Sequence, residues 1–109
     1  MYKGYIYCFI SPSNKKYYGK TINLKKRFKE HEKYSKNGKS KFYCATRKYG
    51  FYNFLFEIIE YHENDSKIKL NEILNEREIF WITKDNTMNN NFGYNLTKGG
   101  DGGDIFTPI

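Results

Sequence analysis

From Tyr5 to Ile10 the chain runs without interruption through residues that favour extended backbone. Tyr17-Tyr18-Gly19 resumes that pattern after the turn-forming stretch Ser11-Pro12-Ser13-Asn14. The two runs predict a β-hairpin. Beyond it Leu24, Phe28 and His31 recur at three- and four-residue spacing, with Lys25, Lys26, Lys29 and Lys33 at the outer positions. This is the pattern of a basic amphipathic helix, which Asn23 is placed to cap and which reaches about Tyr34. Asn37-Gly38 breaks it, and a second short helix is expected from about Ser40 to Tyr49, stopped by Gly50.

Phe54-Leu55-Phe56-Glu57-Ile58-Ile59 is nearly continuous in apolar character and predicts a central strand covered on both faces. Asn64 or Asp65 then caps a long helix through about Thr83, with Leu70, Ile73, Leu74, Trp81 and Ile82 as its buried stripe. A loop follows to Phe92, and Tyr94-Asn95-Leu96 is a candidate short final strand. The order is ββααβα, an α+β domain with a small mixed or antiparallel sheet flanked by helices. Residues 99–109 open on Gly99-Gly100-Asp101-Gly102-Gly103-Asp104, which lacks an apolar anchor and reads as a flexible tail or the start of a linker. The domain is expected to span residues 1–98.

With 109 residues the chain has room for one modest core. Eleven Tyr and nine Phe enlarge the area each buried residue can contribute, so the core is expected to be aromatic. The net charge of +7 conceals an asymmetry. Residues 1–50 hold fourteen Lys/Arg against Glu30 and Glu32, a balance of +12; residues 51–109 hold five against ten acids, a balance of −5. A polyanion-facing surface built by the first half accounts for that segregation, which AT-biased codon use alone does not.

Cys8 and Cys44 show no CxxC or histidine-spaced arrangement that would suggest zinc, and both are expected as buried reduced thiols. No signal peptide or membrane-spanning apolar run is evident. An intracellular protein is expected, in the cytoplasm or in an infected host cell if the source is viral.

Candidate chemistry gathers on the two longer helices and the hairpin. At 100° per residue, Arg27 lies about 40° from His31, at the border of the apolar face of the first helix. Arginine is scarce, three residues against sixteen lysines. A guanidinium at that border either forks onto a phosphate or covers the core edge with its stem. His31 is either a proton-transfer group or a satisfied structural residue. Glu78 falls between Leu74 and Ile82 around the long helix, so its carboxylate is directed at or beside the core. Such a charge calls for a hard divalent cation or an arginine, and Arg77 is the competing partner. Tyr5 and Tyr7 share one strand face, and Tyr17 and Tyr18 point oppositely, so two hairpin tyrosines can meet on one side of the sheet.

These pieces fall into a known order. Gly4-Tyr5-Ile6-Tyr7 and Tyr17-Tyr18-Gly19, then Arg27 and His31, then Lys48-Tyr49-Gly50, Glu76-Arg77-Glu78-Ile79-Phe80-Trp81-Ile82 and Gly93-Tyr94-Asn95-Leu96 resemble the successive motifs of the GIY-YIG nuclease family. The first motif reads Tyr-Ile-Tyr in place of Gly-Ile-Tyr, which makes Tyr7 the match for its tyrosine. The resemblance implies that Glu78 holds one divalent metal, Mg²⁺ or Mn²⁺. It also implies that Arg27 stabilises the scissile phosphate and Tyr17 activates or orients the attacking water, with Tyr7 and His31 assisting and Gly19 and Asn95 supporting the site. Some homing-type members carry a second histidine where this chain has Ser40.

The function expected from the resemblance is a metal-dependent DNA endonuclease, the catalytic domain of a homing-type or mobile-element enzyme. Lys20, Lys25, Lys26, Lys39 and Lys41 would contact the DNA, and a monomer is expected, without a membrane partner. Such relatives pair this domain with a DNA-recognition region that is not visible here, so the chain is expected to be either a piece of a longer protein or a free-standing nuclease of little sequence preference. Restriction and repair nucleases are alternatives within the family. A non-catalytic nucleic-acid-binding domain, with lysines on phosphate and aromatics stacked on bases, is the alternative outside it.

Overall fold

The computed structural model describes residues 1–100. Strand β1 (Tyr2–Ile10) and strand β2 (Lys16–Thr21) form the expected hairpin, with Asn14 at φ 65° in the turn. Helices α1 (Leu24–Tyr34) and α2 (Lys41–Tyr49), strand β3 (Leu55–Asn64) and helix α3 (Lys67–Asp85) complete the order. The caps are local. Asn23 accepts from the Lys26 amide and Ser40 from the Tyr43 amide, and Gly50 ends α2 at φ 91°, where only glycine is unstrained. Helix α3 is capped by Ser66 rather than by Asn64 or Asp65; the Asn64 side chain accepts from the Ser66 amide instead.

The three strands are antiparallel in the order β2-β1-β3. The strand predicted to be central, β3, is therefore an edge, and β1 takes the centre. Ile6, Tyr7, Cys8 and Phe9 are all but fully buried, whereas Leu55, Ile58 and Tyr61 on β3 are exposed. An apolar run reports affinity for a sheet but not a place in it, and the helices cover the other strands more fully. A bulge falls between Ile6, opposite Glu60, and Tyr7, opposite Ile58, leaving Ile59 as the extra residue.

The sheet divides two cores. Tyr7 and Phe9 face α1 and α2 and pack with Phe42, Tyr43, Phe54 and Tyr94, an aromatic cluster as the composition implies. Ile6 and Cys8 face α3, against Leu70 and Leu74 on one side and Tyr18 and Ile82 on the other. Burial pushes the Cys8 thiol up to about 12, so it stays protonated. Cys44, expected to be buried, is exposed on α2.

The final strand is reduced to a single parallel bridge between Lys16 and Gly93. Of the expected tail, Gly99 and Gly100 lie against α3, and the remainder lies outside the described residues. Among the described residues no helix is long and apolar enough to cross a membrane.

Candidate active site

The hairpin register builds one half of the site. Phe9 is paired with Tyr17 and Tyr7 with Gly19, which puts Tyr7 and Tyr17 on the same face of the sheet. A Cβ on Gly19 would stand 2.3 Å from the Tyr7 hydroxyl. The glycine thus leaves the space through which the Tyr7 phenol crosses β2. Tyr17 stacks on Phe42, with ring centroids 4.3 Å apart and planes within 7°, so its position is set by α2.

Helix α1 supplies the other half. His31 is 1% exposed and both ring nitrogens are engaged: Nε2 lies 2.7 Å from the Tyr7 hydroxyl and Nδ1 2.9 Å from the Tyr43 hydroxyl. Burial, with the Arg27 charge adding to it, holds the His31 pKa well below its ordinary value. The neutral ring donates to one tyrosine and accepts from the other. Arg27, one turn earlier, donates from Nε to the Tyr7 hydroxyl at 3.4 Å and from Nη1 to Glu30 at 3.2 Å. Burial opposes the Arg27 charge, but the Tyr7 hydroxyl and the Glu30 carboxylate accept its hydrogen bonds and the guanidinium stays ionised. Burial likewise raises Tyr7 well above a normal phenol and raises Tyr17, while Arg27 pulls both back down. Both are neutral phenols at physiological pH.

Glu78 arrives from α3. It is 5% exposed, inside the buried stripe as its helical position predicts, and Oε1 accepts the Gly100 amide at 2.8 Å. Gly99 and Gly100, at φ 95° and 81°, carry the chain over this carboxylate in a conformation that side chains resist. The Glu78 charge raises the pKa of both Tyr7 and Tyr17, so its field reaches the phenols across the sheet. Arg77 turns away from Glu78 and pairs with Glu60 on β3. Among the described residues no group of three or more His, Cys, Asp or Glu is arranged to hold a metal.

Asn95 holds strand β2 by its backbone. Its Oδ1 accepts from the Tyr18 amide at 3.0 Å and from Thr87 Oγ1 at 2.8 Å, and its Nδ2 donates to the Tyr18 carbonyl at 2.8 Å. One side chain thus replaces a strand neighbour at the outer edge of β2, between Tyr17 and Gly19. Of the lysines, Lys25, Lys26 and Lys39 are exposed and Lys20 is half-buried on β2. Lys41 is committed elsewhere, its ammonium donating to the Met88 carbonyl at 3.0 Å and to Asn90 at 2.8 Å.

The structure therefore brings Tyr7, Tyr17, Arg27 and His31 into contact, with Glu78 within electrostatic range. Sequence reasoning missed Tyr43 and Gly100. Tyr43 was legible as an inward position on a short helix, but its partner was not. Gly100 was legible as a glycine free to take positive φ, with nothing to say that its amide meets Glu78.

The profile of the GIY-YIG catalytic domain matches residues 3–95. No curated protein matches the chain. Among solved structures, the catalytic domain of the intron endonuclease I-TevI, in a glutamate-to-alanine variant, is similar at 30% identity. The match has a TM-score of 0.73 and covers 89% of this chain and 96% of that one.

Proposed function

This chain belongs to the GIY-YIG nuclease family, and from that membership we propose that it hydrolyses phosphodiester bonds in DNA with one divalent cation, as a homing-type endonuclease domain. The observation that carries the reading is the convergence of Arg27, Tyr7, Tyr17 and His31 beside a buried carboxylate, Glu78. The similarity to an intron endonuclease domain over nearly its whole length supports the homing-type assignment.

The donor set suits a hard cation. A carboxylate without a cluster of His, Cys, Asp or Glu around it among the described residues suits a hard cation such as Mg²⁺ or Mn²⁺, and does not fit a zinc site closed by protein ligands. Glu78 would hold the ion, which when bound supplies charge neutralisation at the departing oxygen. Arg27 binds the scissile phosphate and meets the negative charge that grows on it during attack. The Tyr7 hydroxyl, accepting from Arg27 Nε, fixes the direction of that guanidinium. Tyr17, half-buried beside Arg27, orients the attacking water through its phenol oxygen. His31 lies one residue behind the reacting groups and acts through Tyr7, as a positioning residue.

Nicking of supercoiled plasmid with Mg²⁺ or Mn²⁺ tests the reading. Wild type should nick only with metal. Glu78→Ala should lose at least about 100-fold in rate while retaining affinity for DNA measured in EDTA. Metal-independent nicking, or full activity of Glu78→Ala, would overturn it. DNA binding without any cleavage would favour the non-catalytic binding domain.

A further inference from the structure

The sheet face that carries Tyr7 is only partly roofed. Helix α1 crosses it with Leu24 and Phe28 inward, and beside them a groove of about 580 Å³ stays open at the outer end of β1. Its floor is Tyr5 and Phe56 and its wall is Phe28, while Lys3, Lys25 and Lys29 stand along its length. All three lysines are exposed. Tyr61 extends the floor onto β3: its ring lies 5.3 Å from that of Tyr5, and the residue is 46% exposed. The Tyr61 hydroxyl donates to Glu63, which places an acid at the phenol tip.

We infer that this groove is a second nucleic-acid site, which takes an unpaired nucleotide with its base on the Tyr5–Tyr61–Phe56 floor and its phosphates on Lys25 and Lys29. The charge argues for a polyanion, since Lys3, Lys25 and Lys29 line the groove with no acid among its described lining residues, and Glu63 at the Tyr61 hydroxyl offsets only part of that charge. The rings argue for an unpaired strand. Aromatic faces stack on bases whatever their identity, but in a duplex those base faces are already covered by their neighbours. The volume accommodates a base with its sugar. Arg27, Lys25 and Lys29 share α1, with Arg27 separated around the helix from the two lysines by Phe28. A strand held in the groove would therefore approach the scissile site from the opposite side of one helix. The inference rests on DNA being the substrate, but not on the chemistry of its cleavage.

Binding measured in EDTA separates it from the catalytic reading. Fluorescence anisotropy would be recorded with a labelled oligothymidylate and with a blunt duplex of equal length, for wild type, Tyr61→Ala and Lys29→Glu. Both changes lie on exposed positions outside the core, and circular dichroism checks the fold. Tyr61→Ala should weaken the single strand by about tenfold and the duplex much less, because only the single strand offers a base to stack. Lys29→Glu should weaken the single strand and flatten its salt dependence. A 2-aminopurine placed in the oligonucleotide should be quenched by wild type and not by Tyr61→Ala. Equal losses on both DNAs would reduce the groove to a general phosphate contact. No loss on either would overturn the inference and leave a protein segment as its occupant. Failure of metal-dependent nicking with this preference intact would break the nuclease reading alone.

Discussion

Arg27 and Arg77 stand on helices packed against opposite faces of one sheet, and each meets a glutamate. Arg77 closes on Glu60 through Nε at 3.0 Å to both oxygens and Nη2 at 2.7 Å, and Trp81 donates to the same carboxylate at 2.8 Å. The guanidinium also lies 4.3 Å over the Phe80 ring. Arg27 meets Glu30 through one contact at 3.2 Å and Tyr7 through another at 3.4 Å. A fork saturated by its carboxylate is a strut. A fork held only at its edge, beside phenols and with a carboxylate from the next layer nearby, has donors in hand for a phosphate. Composition could not tell these arginines apart; their partners do.

Exchanging the residues is the sharpest way to break this comparison. Arg27→Ala should slow single-turnover cleavage by at least about 100-fold, because it removes a donor aimed at charge that develops only in the transition state. Its urea midpoint should move less than that of Arg77→Ala, since Arg27 meets a half-buried Glu30 through one 3.2 Å contact and Tyr7 through one long 3.4 Å hydrogen bond. Arg77→Ala should do the reverse, leaving the rate intact and lowering stability. Equal slowing by both would mean that α3 reports to the site through Arg77, and the division into strut and catalytic group would fall.

A smaller effect sharpens the comparison on the catalytic side. Tyr43→Phe keeps the packing of α2 and removes the hydroxyl 2.9 Å from His31 Nδ1. With that hydrogen bond gone, nothing on α2 fixes which nitrogen of the ring carries its proton, and the 2.7 Å contact to Tyr7 is no longer held in one sense. The expected result is a fall in kcat of about three- to tenfold with unchanged KM for DNA. The ring nitrogen resonances of His31 should shift toward a tautomer mixture. Unchanged resonances and rate would show that the aromatic packing around His31 is sufficient to hold it.

What could be read before the structure was what short-range chemistry writes down. Asn23, Ser40 and Gly50 mark helix ends within a turn of themselves, and the 3.6-residue period put Glu78 inside the α3 stripe. The place of β3 was not legible, because Phe54 to Ile59 is equally apolar whether it joins the sheet at its centre or its edge. The Arg77–Glu60–Trp81 cluster was hidden for the same reason: it depends on the register of β3 against β1 and on the packing of α3. Tyr7, Tyr17 and Arg27 were singled out by their motif order, whereas Tyr43 and Gly100 touch the site through contacts no local pattern encodes.

The two faces also differ in how they answer acid, and here the expected effects are smallest. Glu60, held by Arg77 first of all, is lowered from 4.5 to about 2 in the folded protein. Between those values the unfolded chain takes up a proton that the folded one refuses, so stability falls as pH drops from 4.5 toward 2 and is fully present above that window. His31 is depressed by burial from its ordinary 6.5, and its neutral form belongs to the fold, so its contribution is present above 6.5 and declines below it. Acid titration of stability should therefore show an upper step from the Tyr7 face and a lower step from the α3 face. In Arg77→Ala the lower step should shrink by about 1 to 2 kcal/mol, the discount reflecting an Arg77 side chain 36% exposed to solvent, and the upper step should stay. Urea midpoints measured from pH 7 to pH 2.5 check this. If both steps vanish in Arg77→Ala, the two layers unfold as one electrostatic unit, and the contrast between the two arginines concerns catalysis alone.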